Sequence, residues 1–273
     1  MRPLLLLLCG LSSLLSLATA AAPQRIIALA PHITEMLFAI GAGDNVVAVS
    51  DYSDYPPEAT TLPSVASYAA VNIEAVLALR PDLVIAWRSG NPPADIQRLQ
   101  QFGVKVVFSD PQTLDDIATE LVMLGRHSGR TAQAQRLAQQ FNAELAALRA
   151  QYQQKKPVAV FFAMGTAPLS TVANNAWPAQ MLALCGADNV FSQAKGDYPQ
   201  VGLEQLIQAQ PEVIIAAYSG NTTPDFSYWQ RFTALPAVKK QQFLALNADY
   251  LYRTTPRTVL GLRQLCQGVE AYR

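Results

Sequence analysis

The chain has 273 residues, of which 51% are hydrophobic and only 15% charged. Such a composition excludes a disordered or low-complexity polypeptide and supplies enough apolar material for two modest cores. Lys plus Arg equals Asp plus Glu, 20 against 20, so the chain lacks the basic footprint of a nucleic-acid binder and no nucleic-acid partner is expected.

Residues 1–22 differ from the rest. Arg2 is their only charge, an apolar run follows from Leu4 to Leu17, and Ala18-Thr19-Ala20 closes the segment. This is the layout of a cleaved secretory signal, which predicts a periplasmic protein. An uncleaved anchor is the alternative, since the uncharged stretch is barely long enough to span a bilayer at about 20 residues. The small residues at its end favour cleavage.

A first α/β lobe is expected over residues 25–127. Its strands are read at Arg25–Ala30, Asn45–Ser50, Leu83–Trp87 and Lys105–Phe108, where short apolar runs alternate with amphipathic segments. His32 follows Pro31 at a strand-to-helix turn. Its ordinary reading is a polar residue near a helix N-terminus; the sharper one is a cleft residue that touches a ligand or an axial ligand to a bound metal complex. Aromatic residues gather beyond the strands. Tyr52 and Tyr55 follow Asn45–Ser50, Tyr68 precedes the next helix, and Trp87-Arg88 ends Leu83–Trp87.

Residues 128–156 contain no Gly or Pro after Gly129. Leu137, Phe141, Leu145, Leu148 and Tyr152 are spaced three and four apart, one apolar stripe on a helix. From Thr131 to Lys155 that helix would run about 37 Å. It predicts a stiff connector between two lobes.

The second lobe is expected over 157–273, with strands Val158–Ala163, Val190–Phe191, Val213–Ala217 and Phe243–Ala245. It repeats the first. Val71-Asn72-Ile73-Glu74 through Arg80-Pro81-Asp82-Leu83 returns about 130 residues later as Val201-Gly202-Leu203-Glu204 through Gln210-Pro211-Glu212-Val213, and Gly41-Ala42-Gly43-Asp44-Asn45-Val46 returns as Gly186-Ala187-Asp188-Asn189-Val190. Each copy places a Glu in a first helical turn, stops the helix at Pro and continues into a buried strand. The fold class is therefore α/β, two Rossmann-like lobes with parallel sheets joined by one long helix. Ligands lie outside the carboxyl ends of such strands. Tyr198 and the run Asp249-Tyr250-Leu251-Tyr252-Arg253 occupy that end in the second lobe.

Cysteine is sparse. Cys9 falls in the signal segment, which leaves Cys185 and Cys266 as a pair about 80 residues apart. In an oxidising compartment a bridge is favoured over two buried thiols. No metal site and no catalytic residues are read. The only histidines, His32 and His127, belong to no G-x-S-x-G, H-E-x-x-H or Cys–His arrangement.

The segments Tyr52-Ser53-Asp54-Tyr55-Pro56-Pro57, Asn72-Ile73-Glu74, Arg80-Pro81-Asp82-Leu83-Val84-Ile85-Ala86-Trp87-Arg88, Cys185-Gly186 and Tyr198-Pro199-Gln200-Val201 resemble the cobalamin (vitamin B12) branch of the helical-backbone (class III) solute-binding proteins, which serve bacterial ABC importers. The resemblance covers nearly all of the chain beyond the signal. It implies a corrinoid held between the lobes as transported ligand, with no resident cofactor, and delivery to an ABC permease dimer in the inner membrane. It places Tyr52, Tyr68, Trp87, Leu169, Tyr198, Asp249, Tyr252 and Arg253 at the ligand, with His32 as a further candidate. Tyr68 and Tyr198 stand where Trp is usual, Leu169 where Phe is usual, and Tyr252-Arg253 where an acidic-Arg pair is usual. Glu74 and Glu204 match the carboxylates that meet arginines of the permease. A free monomer is expected. Haem or an iron siderophore on the same scaffold is the alternative cargo, and an enzyme built on this architecture is the alternative class.

Overall fold

The computed structural model describes residues 22–220, 222 and 224–273, so residues 1–21 of the expected signal segment lie outside the described residues. The first half of the chain alternates strand and helix except between its second and third strands: β1 (Ile26–Ala28), α1 (Pro31–Ala39), β2 (Val46–Ser50), β3 (Ser64–Ala66), α2 (Ile73–Ala78), β4 (Leu83–Trp87), α3 (Pro93–Gln101), β5 (Val106–Ser109) and α4 (Asp116–Ser128). Its sheet is parallel throughout, in the order β3-β2-β1-β4-β5. The chain winds outward from β1 in one direction and then from β4 in the other, so the order reverses between those two strands, where an α/β sheet opens a crevice.

The 22-residue α5 (Thr131–Tyr152) follows, about 33 Å long. Its buried stripe is Ala134, Ala138, Phe141, Leu145, Leu148 and Tyr152. Leu137, expected in that stripe, is only half-buried, and Ala134 and Ala138 continue the stripe toward the start of the helix. This stripe belongs to one continuous core that includes Ile33 and Leu121 before it and Phe162 and Leu262 after it. Opening the two sheets as independent bodies would break that core.

The second half contains β6 (Val158–Ala163), a small hairpin of β7 (Gly165–Thr166) and β8 (Leu169–Ser170), α6 (Trp177–Leu184), β9 (Ala187–Asn189), α7 (Leu203–Ala209), β10 (Val213–Tyr218), α8 (Ser227–Gln230), α9 (Pro236–Lys239), β11 (Phe243–Asn247), α10 (Ala248–Tyr252) and α11 (Thr258–Ala271). The main sheet is parallel, ordered β11-β10-β6-β9, and reverses between β6 and β10. The expected strand at Val190–Phe191 is corrected to Ala187–Asn189. Polar Asp188-Asn189 hid it, and Asn189 is tolerated there because its amide is fully paired: Oδ1 accepts from Phe162 N at 3.1 Å, and Nδ2 donates to Thr171 Oγ1 at 3.1 Å and Val172 O at 2.5 Å. Val190 and Phe191 instead pack against the outer core of this sheet.

The internal repeat survives in backbone detail. Arg80 (φ 46°) and Gln210 (φ 50°) both take the left-handed conformation immediately before a proline. A residue before Pro is driven out of the right-handed helical region, and the left-handed turn stops α2 and α7 at equivalent points.

Cys185 at the end of α6 is bonded to Cys266 in α11, 81 residues away. Closing a loop of that length restricts the unfolded chain by about 4 kcal/mol. The double substitution Cys185→Ser, Cys266→Ser should lower the unfolding free energy by that order in a urea titration; a midpoint equal to that of the oxidised protein would rule the bridge out as a stabiliser.

Candidate functional site

The carboxyl ends of the two sheets border a cleft of about 410 Å³, lined by His32, Trp87 and Pro111 from one half and by Trp177, Tyr198, Tyr252 and Arg253 from the other. Large aromatic side chains are normally covered, yet here they are exposed: Tyr52 by 78%, Tyr68 by 88%, Tyr198 by 53%, and Trp87 and Tyr252 by 39% each. All five stand on strand-end loops or at an element's last residue. Exposed aromatics concentrated on one face mark a binding surface, because they lose water only when a partner covers them. Two larger hollows of about 710 Å³ lie elsewhere: one beside α1 lined by Phe38, Tyr55 and Arg257, the other between α4 and α5. The first has one strand-end aromatic in its wall, Tyr55, whose ring is taken by Arg257; neither is lined by Tyr52, Tyr68, Trp87, Tyr198 or Tyr252.

The wall around Trp87 is polar behind the ring. His32 is 6% exposed, and its Nε2 lies 3.2 Å from Ser109 Oγ. Burial holds its pKa down at about 4, against a smaller opposing pull from Asp110, so it is a neutral imidazole at pH 7. Glu120 lies behind them, and burial raises its carboxyl above the usual range despite bonds from Asp110 N and Ser109.

The two halves meet in an ion-pair cluster beside the cleft. Glu35 of α1 is buried, its side chain 2% exposed. Its Oε1 accepts from Arg253 Nη1 at 2.9 Å, and its Oε2 accepts from Arg257 Nε at 2.9 Å. Arg253 also donates to Asp54 at 2.6 Å and lies 3.2 Å from Asp249. The hydrogen bond from Arg253 pulls the Asp54 pKa down. Arg257 stacks on the Tyr55 ring, 3.6 Å from its centroid. Each charge thus has a partner, as burial requires.

Of the residues singled out from sequence, His32, Trp87, Tyr198, Tyr252 and Arg253 come together in the cleft. Tyr52, in a left-handed conformation at φ 62°, and Tyr68 are exposed on loops of the first sheet. Asp249 reaches the site through Arg253. Leu169 is 8% exposed and packs in the second sheet's outer core with Phe161 and Leu206, outside the lining of the cleft. Glu74 and Glu204 are exposed in the first turns of α2 and α7. Glu35, Asp110 and Trp177 were not read as site residues. Asp110 directly follows β5, and the rule that located the strand-end aromatics would have found it.

A parallel two-sheet protein with an aromatic cleft at the strand ends and a helix between the sheets matches one family in sequence. The chain belongs to the periplasmic binding protein family, which it matches over residues 26–250. The vitamin B12-binding protein of Vibrio parahaemolyticus is 40% identical over 258 residues, which are 94% of this chain and 93% of that protein. The crystal structure of the periplasmic vitamin B12-binding protein of Vibrio cholerae superposes with a TM-score of 0.83 at 40% identity, covering 92% of this chain and 98% of that one. A periplasmic haem-binding protein from Roseiflexus sp. RS-1 superposes with a TM-score of 0.78 at 27% identity, over 92% and 99% of the two chains.

Proposed function

We propose that this protein captures cobalamin in the cleft between its sheets and delivers it to an ABC transporter permease dimer in the inner membrane, acting in the periplasm as a monomeric carrier and not as an enzyme. The observation that carries this reading is the set of exposed aromatics Tyr52, Tyr68, Trp87, Tyr198 and Tyr252 on the strand-end face. A corrinoid is a broad ring system edged with amides. Aromatic rings offer it area at small conformational cost, while tyrosine hydroxyls, Asp249 and Arg253 offer polar partners to its edge. The cobalamin is cargo, and no resident cofactor is required. The 40% identity to vitamin B12-binding proteins supports the same ligand. The duplicated, exposed Glu74 and Glu204 supply one carboxylate per lobe for arginines of the permease.

Haem is the second reading, supported by the likeness to the Roseiflexus haem binder and by the accessible hydroxyl of Tyr52, which could reach an iron. Lower identity makes it the weaker one. Calorimetric titration with cyanocobalamin tests the site directly. Trp87→Ala should weaken binding by about 1–3 kcal/mol, the range for a large side chain covered by a ligand. Affinity equal to wild type would remove Trp87 from the site.

A further inference from the structure

The indole of Trp87 is held from three directions before any ligand arrives. Its Nε1–H donates to Asp110 Oδ1 at 3.0 Å. His32 meets the ring edge-on, with centroids 5.5 Å apart and planes at 81°. Gly90 closes the third side: a methyl group built there would fall 1.9 Å from the indole Cε3 and 2.3 Å from Cδ2. Gly90 is not left-handed, so glycine serves here by its lack of volume, not by its backbone freedom. Asp110 is itself anchored. Ser89 Oγ donates to the same Oδ1 at 2.6 Å, and the Asp110 backbone N–H donates to Glu120 Oε1 at 3.2 Å.

We propose that Asp110 and Gly90 are positioning residues that preset the Trp87 indole as a fixed wall of the cleft. This rests on the cobalamin-capture reading, though neither residue need touch the ligand. An exposed indole free to change rotamer would have to be immobilised on binding, and that ordering lowers affinity. The carboxylate acceptor and the missing Cβ remove the cost in advance. A charged acceptor suits the task, because hydrogen bonds to ionised groups are shorter and stronger than neutral ones.

The test is a double-mutant cycle read by cyanocobalamin titration, together with near-ultraviolet circular dichroism of the ligand-free proteins. Asp110→Ala should weaken binding by about five- to tenfold, and Asp110→Asn, whose amide oxygen still accepts from Nε1, should recover most of that loss. In a Trp87→Phe background, which has no ring N–H, Asp110→Ala should cause no further loss. Gly90→Ala should weaken binding by a similar factor with an unchanged melting temperature. In the ligand-free protein, Asp110→Ala should diminish the same aromatic band that Trp87→Phe removes. Equal losses from Asp110→Ala in both backgrounds would overturn the proposal, because Asp110 would then act independently of the indole. An unchanged aromatic band in ligand-free Asp110→Ala would overturn it whatever the protein binds. Failure of the wild type to bind cyanocobalamin, with the dichroism behaving as expected, would reject the ligand and leave the positioning intact.

Discussion

Replacing Glu35 with alanine is expected to lower the unfolding free energy by about 3–5 kcal/mol, and the melting temperature by roughly 10 °C. The size follows from what is left behind. Glu35 is buried and satisfies two guanidiniums that are themselves only 14% and 16% exposed in their side chains. Arg253 would keep Asp54 and Asp249, but Arg257 would keep no carboxylate, only the faces of Tyr55 and Tyr250. A buried charge stripped of its partner is far costlier than the pair was favourable. The converse double change, Glu35→Leu with Arg257→Met, should therefore recover much of the loss, since apolar residues of similar volume replace a buried pair at little cost. Thermal unfolding followed by circular dichroism measures both. A Glu35→Ala protein melting within a degree of wild type would mean that the continuous core around α5 alone holds the two halves together.

The double substitution Glu74→Ala, Glu204→Ala is expected to leave folding and cobalamin affinity nearly unchanged and to reduce permease association by at least about tenfold. Both carboxylates are exposed, and exposed charges contribute well under about 1 kcal/mol to stability. Neither is needed to cap its helix. Asn72 Oδ1 accepts from Ala75 N at 3.0 Å at the start of α2, and Gln205 Oε1 accepts from Gly202 N at 2.9 Å at the start of α7. The helix starts therefore survive the loss of either glutamate. Across an interface the same carboxylates would be desolvated against arginines, where removal matters by a few kcal/mol. Pull-down with the permease and uptake into reconstituted vesicles read the effect. Unimpaired uptake by the double variant would assign docking to other residues; lost ligand affinity with intact docking would move both carboxylates into the ligand site.

The α/β architecture was legible because its central strands are continuous apolar runs. Leu83–Trp87 and Val213–Tyr218 are short, bounded by Pro and rich in Val, Ile and Leu, which reads as strands inside a sheet covered on both faces. The strand ends located the aromatics in turn, so Trp87, Tyr198 and Tyr252 could be assigned to one face before any coordinate was known. The short strand Ser64–Ala66 and the hairpin at Gly165–Ser170 were not legible: two or three residues carry no period. The burial of Leu169 was not legible for the same reason, since the face a side chain takes in a two-residue strand depends on its register with its neighbour. The ion-pair cluster was out of reach for a different reason. Glu35 and Arg253 are 218 residues apart, and no local pattern announces a contact that exists only when both sheets are assembled. Asp110 and Trp87, 23 residues apart on the ends of adjacent strands, were nearer to reach, because β4 and β5 pair in parallel with Trp87 opposite Ser109.

The central claim is that the aromatic cleft selects a corrinoid. Its most direct test is a competition: the purified protein is incubated with equimolar excesses of cyanocobalamin and haemin, desalted, and its visible spectrum recorded. The account predicts a red protein with the cobalamin bands at one equivalent and no Soret band, and less retained colour in the Trp87→Ala variant after the same desalting. A Soret band with no retained cobalamin would contradict it and assign the cleft to haem.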